Sequence, residues 1–172
     1  MIDLTLYVAC STGTLTLDTS SKPYKTVIDP NYFSESFDCR VMAEAVRFIR
    51  RLGRRMAQYE DCAGGEAYPG EQKVPNDDDA ALQRYARENV ETYYHPTTTC
   101  KMGPASDPMA VVDPRLNVYG IDRLRVVDAS VFPKLPAAHT CAPTIMVAEK
   151  AADMIKEDWQ NLGATAVPLA RL

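Results

Sequence analysis

The chain has 172 residues, 46% apolar and 24% charged, with a formal net charge of −4, which is enough for one domain with a real core. The mild acidic balance argues against a nucleic-acid or anionic-membrane surface, which would carry a basic surplus, and no apolar run approaches the roughly 18 residues of a membrane span. Five cysteines with no close pair spacing and two distant histidines fit neither a disulfide framework nor a metal site, so no metal is expected.

Met1 to Tyr7 lacks the basic-then-apolar pattern of a signal peptide. Leu4 to Val8 and Gly13 to Asp18 alternate apolar with polar residues, which predicts two half-buried strands about a turn at Ser11-Thr12-Gly13. Lys22-Pro23-Tyr24 and Asp29-Pro30-Asn31 punctuate the next extended piece. A helix capped by Ser34 or Ser36 is predicted to run to about Met56. It would bury Met42, Ala45, Val46, Ile49, Leu52 and Met56 and leave Arg47, Arg50, Arg51, Arg54 and Arg55 as its solvated side. Asp61 to Pro75, rich in glycine and proline, reads as a loop. Asn76 and Asp77 to Asp79 suit the start of a second helix, since carboxylates favour the positive end of the macrodipole, and Leu82, Tyr85, Ala86, Asn89-Val90 and Tyr93 continue it. Pro104 to Pro108 is a turn, and Val111-Val112 and Leu124 to Val127 are short strands joined through Tyr119-Gly120. Pro143 belongs in the first turn of a last helix that carries Ile145, Ala148, Ala151-Ala152 and Ile155 to about Trp159, with a frayed tail beyond Gly163. Met102, Met109 and Met146 are expected in the core, and Cys100 is expected to pack as a small hydrophobe.

The two histidines, His95 and His139, stand 44 positions apart. Each sits in a loop-like segment of small, hydroxyl-bearing or proline neighbours, just outside an apolar run. Loops held by a scaffold are where reacting groups gather, and an imidazole exchanges protons near neutrality. Taken alone, a loop histidine is more often a solvated or hydrogen-bonded bystander than a reacting group.

The stretch from His95 to His139 narrows that choice. His95-Pro96 leads through Thr99-Cys100-Lys101-Met102-Gly103; Val112-Asp113 is followed by Val118 and Gly120; Leu124-Arg125-Val126-Val127-Asp128-Ala129-Ser130 follows, and then His139 before an apolar helix. These four linked motifs resemble the C-terminal signature of the glucose-methanol-choline (GMC) oxidoreductases, flavoenzymes that oxidise alcohols and sugars. Gly13 to Leu17, Ile28 to Tyr32 and Ala148 to Ile155 also read like that family. The segments Asp107 to Leu116 and Glu149 to Trp159 look nearest to its animal glucose-dehydrogenase-like branch, whose acceptor is a quinone. Three departures stand out. No Gly-x-Gly-x-x-Gly dinucleotide fingerprint occurs in the chain, the family's Pro-x-Ser-Arg-Gly run before the second strand lacks its Pro and Arg here, and Thr98 stands where the family has Gly.

The resemblance implies an α+β fold in which residues 1–92 form part of an antiparallel-sheet substrate domain with covering helices. Residues 93–160 would complete the FAD-binding domain and line the active site, with 161–172 as a tail. It implies His95 as catalytic base and His139 as its hydrogen-bonding partner, with FAD as cofactor. Asp128 and Ala129 would touch its ribityl–phosphate side, and Thr140, Pro143 and Thr144 would line the flavin ring. For Asp128 a helix or turn cap is the alternative. The partners implied are a small alcohol or sugar and an electron acceptor, quinone or oxygen, with no nucleic acid and no transmembrane segment. The alternative is a non-catalytic remnant or binding module that lacks the nucleotide-binding half. Compartment stays open: secretion is compatible, and Ala170-Arg171-Leu172 loosely mimics the Ser-Lys-Leu peroxisomal address.

Overall fold

The structure, a computed structural model, describes residues 4–59 and 65–165. Cys62, the first residues of the loop expected from Asp61, and Ala170-Arg171-Leu172 lie outside the described residues. The fold is small and mixed, with one two-stranded antiparallel sheet and three α-helices among the described residues. It divides into two compact units, Met1–Tyr93 and Tyr94–Leu172.

In the first unit, strand β1 (Thr14–Asp18) pairs with β2 (Lys25–Asp29), Thr14 lying opposite Asp29 and Asp18 opposite Lys25. Leu15, Leu17 and Ile28 share one face of this ribbon because Leu15 and Ile28 are partners across it. They are 53%, 56% and 68% exposed, so the half-buried strands expected from the alternation are here solvated on their apolar side. Leu4 to Val8, expected as a strand, forms none. Gly13 enters β1 where the chain crosses the end of β2, and a Cβ there would lie 2.1 Å from the Asp29 carbonyl oxygen.

Helix α1 (Ser36–Met56) has the predicted limits but not the predicted cap. Its N-cap is Glu35, whose N–H donates to Ser11 Oγ at 3.1 Å, while Ser36 Oγ accepts from Arg40. Helix α2 (Asp79–Glu88) is capped by Asp78, which accepts from the Ala81 N–H at 2.9 Å, and stops at Asn89, short of Tyr93. The helices meet through Ala43, Val74, Ala81 and Leu82, with Val46 and Tyr85 against them, and Phe33, Cys39 and Ala86 make a second cluster with Met42.

The inward stripe of α1 therefore runs Cys39, Ala43, Val46, Arg50 rather than through Leu52, which is 39% exposed. Arg50 is a correction to the solvated side: it is 6% exposed and forks onto both carboxylate oxygens of Glu66 at 3.0–3.1 Å. Its place at the same helical spacing as Ala43 and Val46 carries it inward, and the carboxylate makes the burial tolerable. Asp38, 1% exposed, receives the N–H groups of Cys10 and Ser11 and the Ser11 hydroxyl. Burial pushes its carboxyl up, but those hydrogen bonds more than offset this and hold it below the ordinary carboxylate range.

The second unit is built on Val112, Leu116, Val131 and Ala151, with Met102, Val111, Val118, Val126, Val127 and Val147 packed around them. The strands expected at Val111-Val112 and Leu124 to Val127 contract to single bridges, Met102 with Val112, Val112 with Val118 and Asn117 with Arg125. Left-handed turns at Leu116 (φ 66°), Gly120 (φ 77°) and Arg123 (φ 59°) break the runs before a ladder can extend. Helix α3 (Cys141–Thr165) is longer than the sequence suggested. It turns Val147 and Ala151 inward, four residues apart on one face, so Met146 points out and is 65% exposed. Met109, in the turn before Val111, is 71% exposed; both methionines correct the core assignment, which holds for Met102.

Candidate active site

The site lies within the second unit, where two irregular segments run side by side. Cys100 and Met102 donate their N–H groups to the Ser130 and Val131 carbonyls at 3.0 and 2.9 Å, and Thr98 donates more weakly to Ala129 at 3.4 Å. These bonds fasten the loop that carries His95 to the 3₁₀ turn Ala129–Val131. Asp128 caps that turn by accepting the Ser130 N–H at 2.8 Å. The cap alternative for Asp128 is thus present in the geometry, while its exposed side chain keeps a face to solvent.

His95 enters the loop after Tyr94, a left-handed residue with φ 57°. Thr98 follows at φ 74°, so the turn that glycine makes in the resembling family is made here by a β-branched residue in the left-handed region. The backbone bonds to 129–131 tie this loop down on the side away from His95. Thr98 Oγ1 lies 3.0 Å from Thr97 Oγ1, a further local tie.

The chain returns from the 3₁₀ turn through Phe132, buried beside Val131, and brings His139 to the same place just before α3. His95 Nε2 and His139 Nδ1 are 2.9 Å apart, with ring centroids 5.1 Å apart and planes at 74°. The two histidines of the sequence meet. His95 is half-buried and His139 exposed. One of the facing nitrogens presents an N–H and the other a lone pair, so together they can give one hydrogen bond to an oxygen and take one from it.

The other residues expected at the site surround the start of α3. The Thr140 carbonyl accepts both the N–H and the hydroxyl of Thr144, at 3.0 and 2.7 Å, which commits both donors of Thr144 to opening the helix. Pro143 has no N–H to satisfy, and the first-turn N–H groups of Cys141 and Ala142 precede any intrahelical acceptor. The edge formed by His139, Cys141 and Ala142 is exposed. A helix start of this kind attracts partial negative charge.

Several residues that brace the site were not legible beforehand. Asp113 accepts from the N–H groups of Arg115 and Asn117 and from the Asn117 amide, closing the turn that seats Leu116 in the core. Burial raises its carboxyl, but these bonds, chiefly from Asn117, and the nearby Arg125 charge bring it below the ordinary value. Arg115 reaches the Met154 carbonyl, Glu157 and Asp158 on α3, and Arg125 pairs with the same Asp158. Lys101 pairs with Asp107 at 2.6 Å beside Gly103, whose carbonyl accepts from the Tyr119 hydroxyl. No spacing in the sequence announces these pairs, since each partner is placed by the core beneath it.

Residues 9–148 match the family model described as GMC oxidoreductase. The chain is 44% identical over 138 residues to the oxygen-dependent choline dehydrogenase of Photobacterium profundum, covering 80% of this chain and 24% of that protein. It is 42% identical over 149 residues to the mitochondrial choline dehydrogenase of Homo sapiens, covering 85% of this chain and 24% of that protein. Among solved structures, a formate oxidase of Aspergillus oryzae, studied for its FAD modification, superposes with a TM-score of 0.73 at 33% identity, over 90% of this chain and 26% of that one. The chain thus spans about a quarter of the length of these relatives. They are choline dehydrogenases and an oxidase, so the finer placement beside animal glucose dehydrogenases is not borne out.

Proposed function

Because the chain belongs to the GMC oxidoreductases and corresponds to their C-terminal domain, we propose that it supplies the acid–base half of an FAD-dependent site that oxidises the CH–OH group of a small alcohol. The observation that carries this reading is the contact between His95 and His139, nitrogen to nitrogen at 2.9 Å, from segments 44 residues apart. FAD, when bound, supplies the hydride acceptor. Its support in this chain is the exposed start of α3, where the Cys141 and Ala142 N–H groups and the helix dipole favour the negative charge of a reduced ring. Thr140 and Pro143 line that edge, and Thr144 fixes it from within. Asp128 and Ala129 offer the backbone of the capped turn to the rest of the cofactor.

In this reading His95 takes the hydroxyl proton on Nε2, and His139 donates from Nδ1 to the oxygen as it gains negative charge. The loop bonds to 129–131 keep the base in place, and the packed cluster under Val131 keeps the turn in place. A positioned base of this kind is worth about 10²–10⁴ in rate.

The test is a chimera in which this chain replaces the matching quarter of the Photobacterium profundum enzyme. It should retain flavin, and the flavin should bleach when an alcohol is added. His95→Ala should slow that reduction by about 10²–10⁴ with flavin content unchanged. His139→Asn should keep substantial activity because an amide can still donate, whereas His139→Ala should lose about 2.7–4 kcal/mol of barrier lowering. Equal rates in the parent chimera and His95→Ala would end the assignment. The competing reading is a non-catalytic module. A chimera that holds flavin yet is inert toward alcohols would support that alternative.

A further inference from the structure

The β1–β2 ribbon of the first unit ends on an edge without a neighbour. Among the described residues the sheet holds two strands, and no backbone hydrogen bond reaches the outer side of β2. All five β2 residues are exposed, Val27 at 47% and Ile28 at 68%. Such an edge is a template for a further strand. We propose that β2 pairs antiparallel with β2 of a second copy of this chain, about a twofold axis at Val27, so that two ribbons join into one sheet. The proposal uses neither histidine and does not rest on the reading above.

The strand itself selects this partner. It reads Lys25-Thr26-Val27-Ile28-Asp29, a cation at one end and an anion at the other. Antiparallel pairing centred on Val27 sets Lys25 of each copy opposite Asp29 of the other, where opposite charges attract. Both groups are available for it. Lys25 lies opposite Asp18 within the ribbon but bridges to no carboxylate among the described residues. Asp29 takes the Asn31 N–H on one carboxylate oxygen at 2.9 Å, which leaves the other oxygen for a lysine.

Competing arrangements lose these pairs. A parallel in-register pair would set Lys25 against Lys25 and Asp29 against Asp29. An antiparallel pair shifted by two residues would set a charge against Val27. A slip of one residue would turn the two apolar faces to opposite sides of the sheet. In the register centred on Val27, Leu15, Leu17 and Ile28 of both copies share one face, because Leu15 and Ile28 are partners across each ribbon. Pairing through β1 instead would oppose Asp18 to Thr14, with no charge to meet it. Pro23 and Pro30, which have no N–H to donate, bound the β2 edge on both sides. A five-residue strand from each copy is less than a standard interface, so the dimer is weak, with a dissociation constant on the order of 10⁻⁴ M.

The experiment is sedimentation of the full 172-residue chain across that concentration range. The chain should pass from monomer to dimer and stop there. Lys25→Glu and Asp29→Lys should each weaken the dimer by about tenfold, since each creates two like-charge pairs across the edge. An equimolar mixture of the two variants should associate at least as well as the parent chain, because every pair is then attractive. A monomer throughout, growth past the dimer, or a mixture of folded variants no better than either alone would overturn the proposal. Should a variant unfold, the parent chain decides the matter by itself. In a mixture of carbon-13-labelled and unlabelled copies, nuclear magnetic resonance should find contacts between copies at Val27 and between Thr26 and Ile28. Contacts at Phe48 or Met146 in their place would put the dimer on another face and refute the strand pairing. Failure here leaves the outcome of the chimera untouched, since that experiment reads hydride removal alone.

Discussion

Thr98 is one of the departures from the family pattern that the sequence resembles, and its backbone lies in the left-handed region at φ 74°. An L-residue in the left-handed region loses roughly 1–2 kcal/mol to the clash of its Cβ, and β-branching adds to that. Glycine there would remove the clash but give back about 0.5–1 kcal/mol in unfolded-chain entropy. Thr98→Gly should therefore stabilise the protein by about 0.5–1 kcal/mol, read as a higher urea midpoint with an unchanged slope. A lower midpoint would mean that the Thr97–Thr98 hydroxyl contact outweighs the strain. The departure itself was legible in the sequence. What was not legible is that three backbone bonds to 129–131 would keep the loop in register in spite of it.

Asp38 makes the same point in the first unit. In the sequence it is one more acidic residue near a helix start, yet folding buries it among the donors of Cys10 and Ser11. With its folded pKa depressed, it contributes stability that is present above the unfolded value of about 3.9 and is lost as pH falls through the folded pKa. Asp38→Asn should cost about 1–3 kcal/mol near neutrality and flatten the acid limb of the stability curve below about pH 4. An acid limb of unchanged steepness would show that the carboxylate is not held there.

At the scale of elements, the helices were readable and so was β1 (Thr14–Asp18), inside the expected Gly13 to Asp18, whereas the strands expected at Leu4 to Val8 and in the second unit were not. α1 ends at the predicted Met56 because periodicity and composition agree along 21 residues. Its inward face was misjudged because hydrophobicity alone cannot announce that Arg50 finds Glu66, a residue beyond the helix. The valine runs of the second unit were readable as apolar but not as isolated bridges, since register is set by left-handed turns at Leu116 and Arg123 that carry no glycine.

The fastening of α3 belongs to this scale too. Arg115 and Arg125 converge on Asp158, while Val147 and Ala151 pack nearer the helix start. The pair with Arg125 is the better shielded, with side-chain exposures of 20% and 33%, so the network lies between a surface pair and a buried one. Asp158→Ala should cost about 1–2 kcal/mol, less at high salt. Amide hydrogen exchange should rise in the second half of α3 while the 98–102 amides stay protected. Loss of protection at both places would mean that the ion pairs hold the site loop as well as the helix.

At the scale of the whole molecule, the surfaces left exposed bear on what the chain does alone. The apolar face of the β1–β2 ribbon is solvated, and so is the edge at the start of α3 where a flavin ring is proposed to rest. Tight sites for cofactor-sized ligands enclose most of the ligand's surface, roughly 70–90%. This chain spans about a quarter of its relatives' length and carries no Gly-x-Gly-x-x-Gly turn to seat a pyrophosphate. The isolated 172-residue protein should therefore emerge from gel filtration without yellow flavin absorbance, and added FAD should dialyse away. In the chimera the same residues should retain it. Flavin held at one equivalent by the isolated chain would place the pyrophosphate on residues of this chain, with the α3 start and the Asp128 turn as the first to be substituted in locating them.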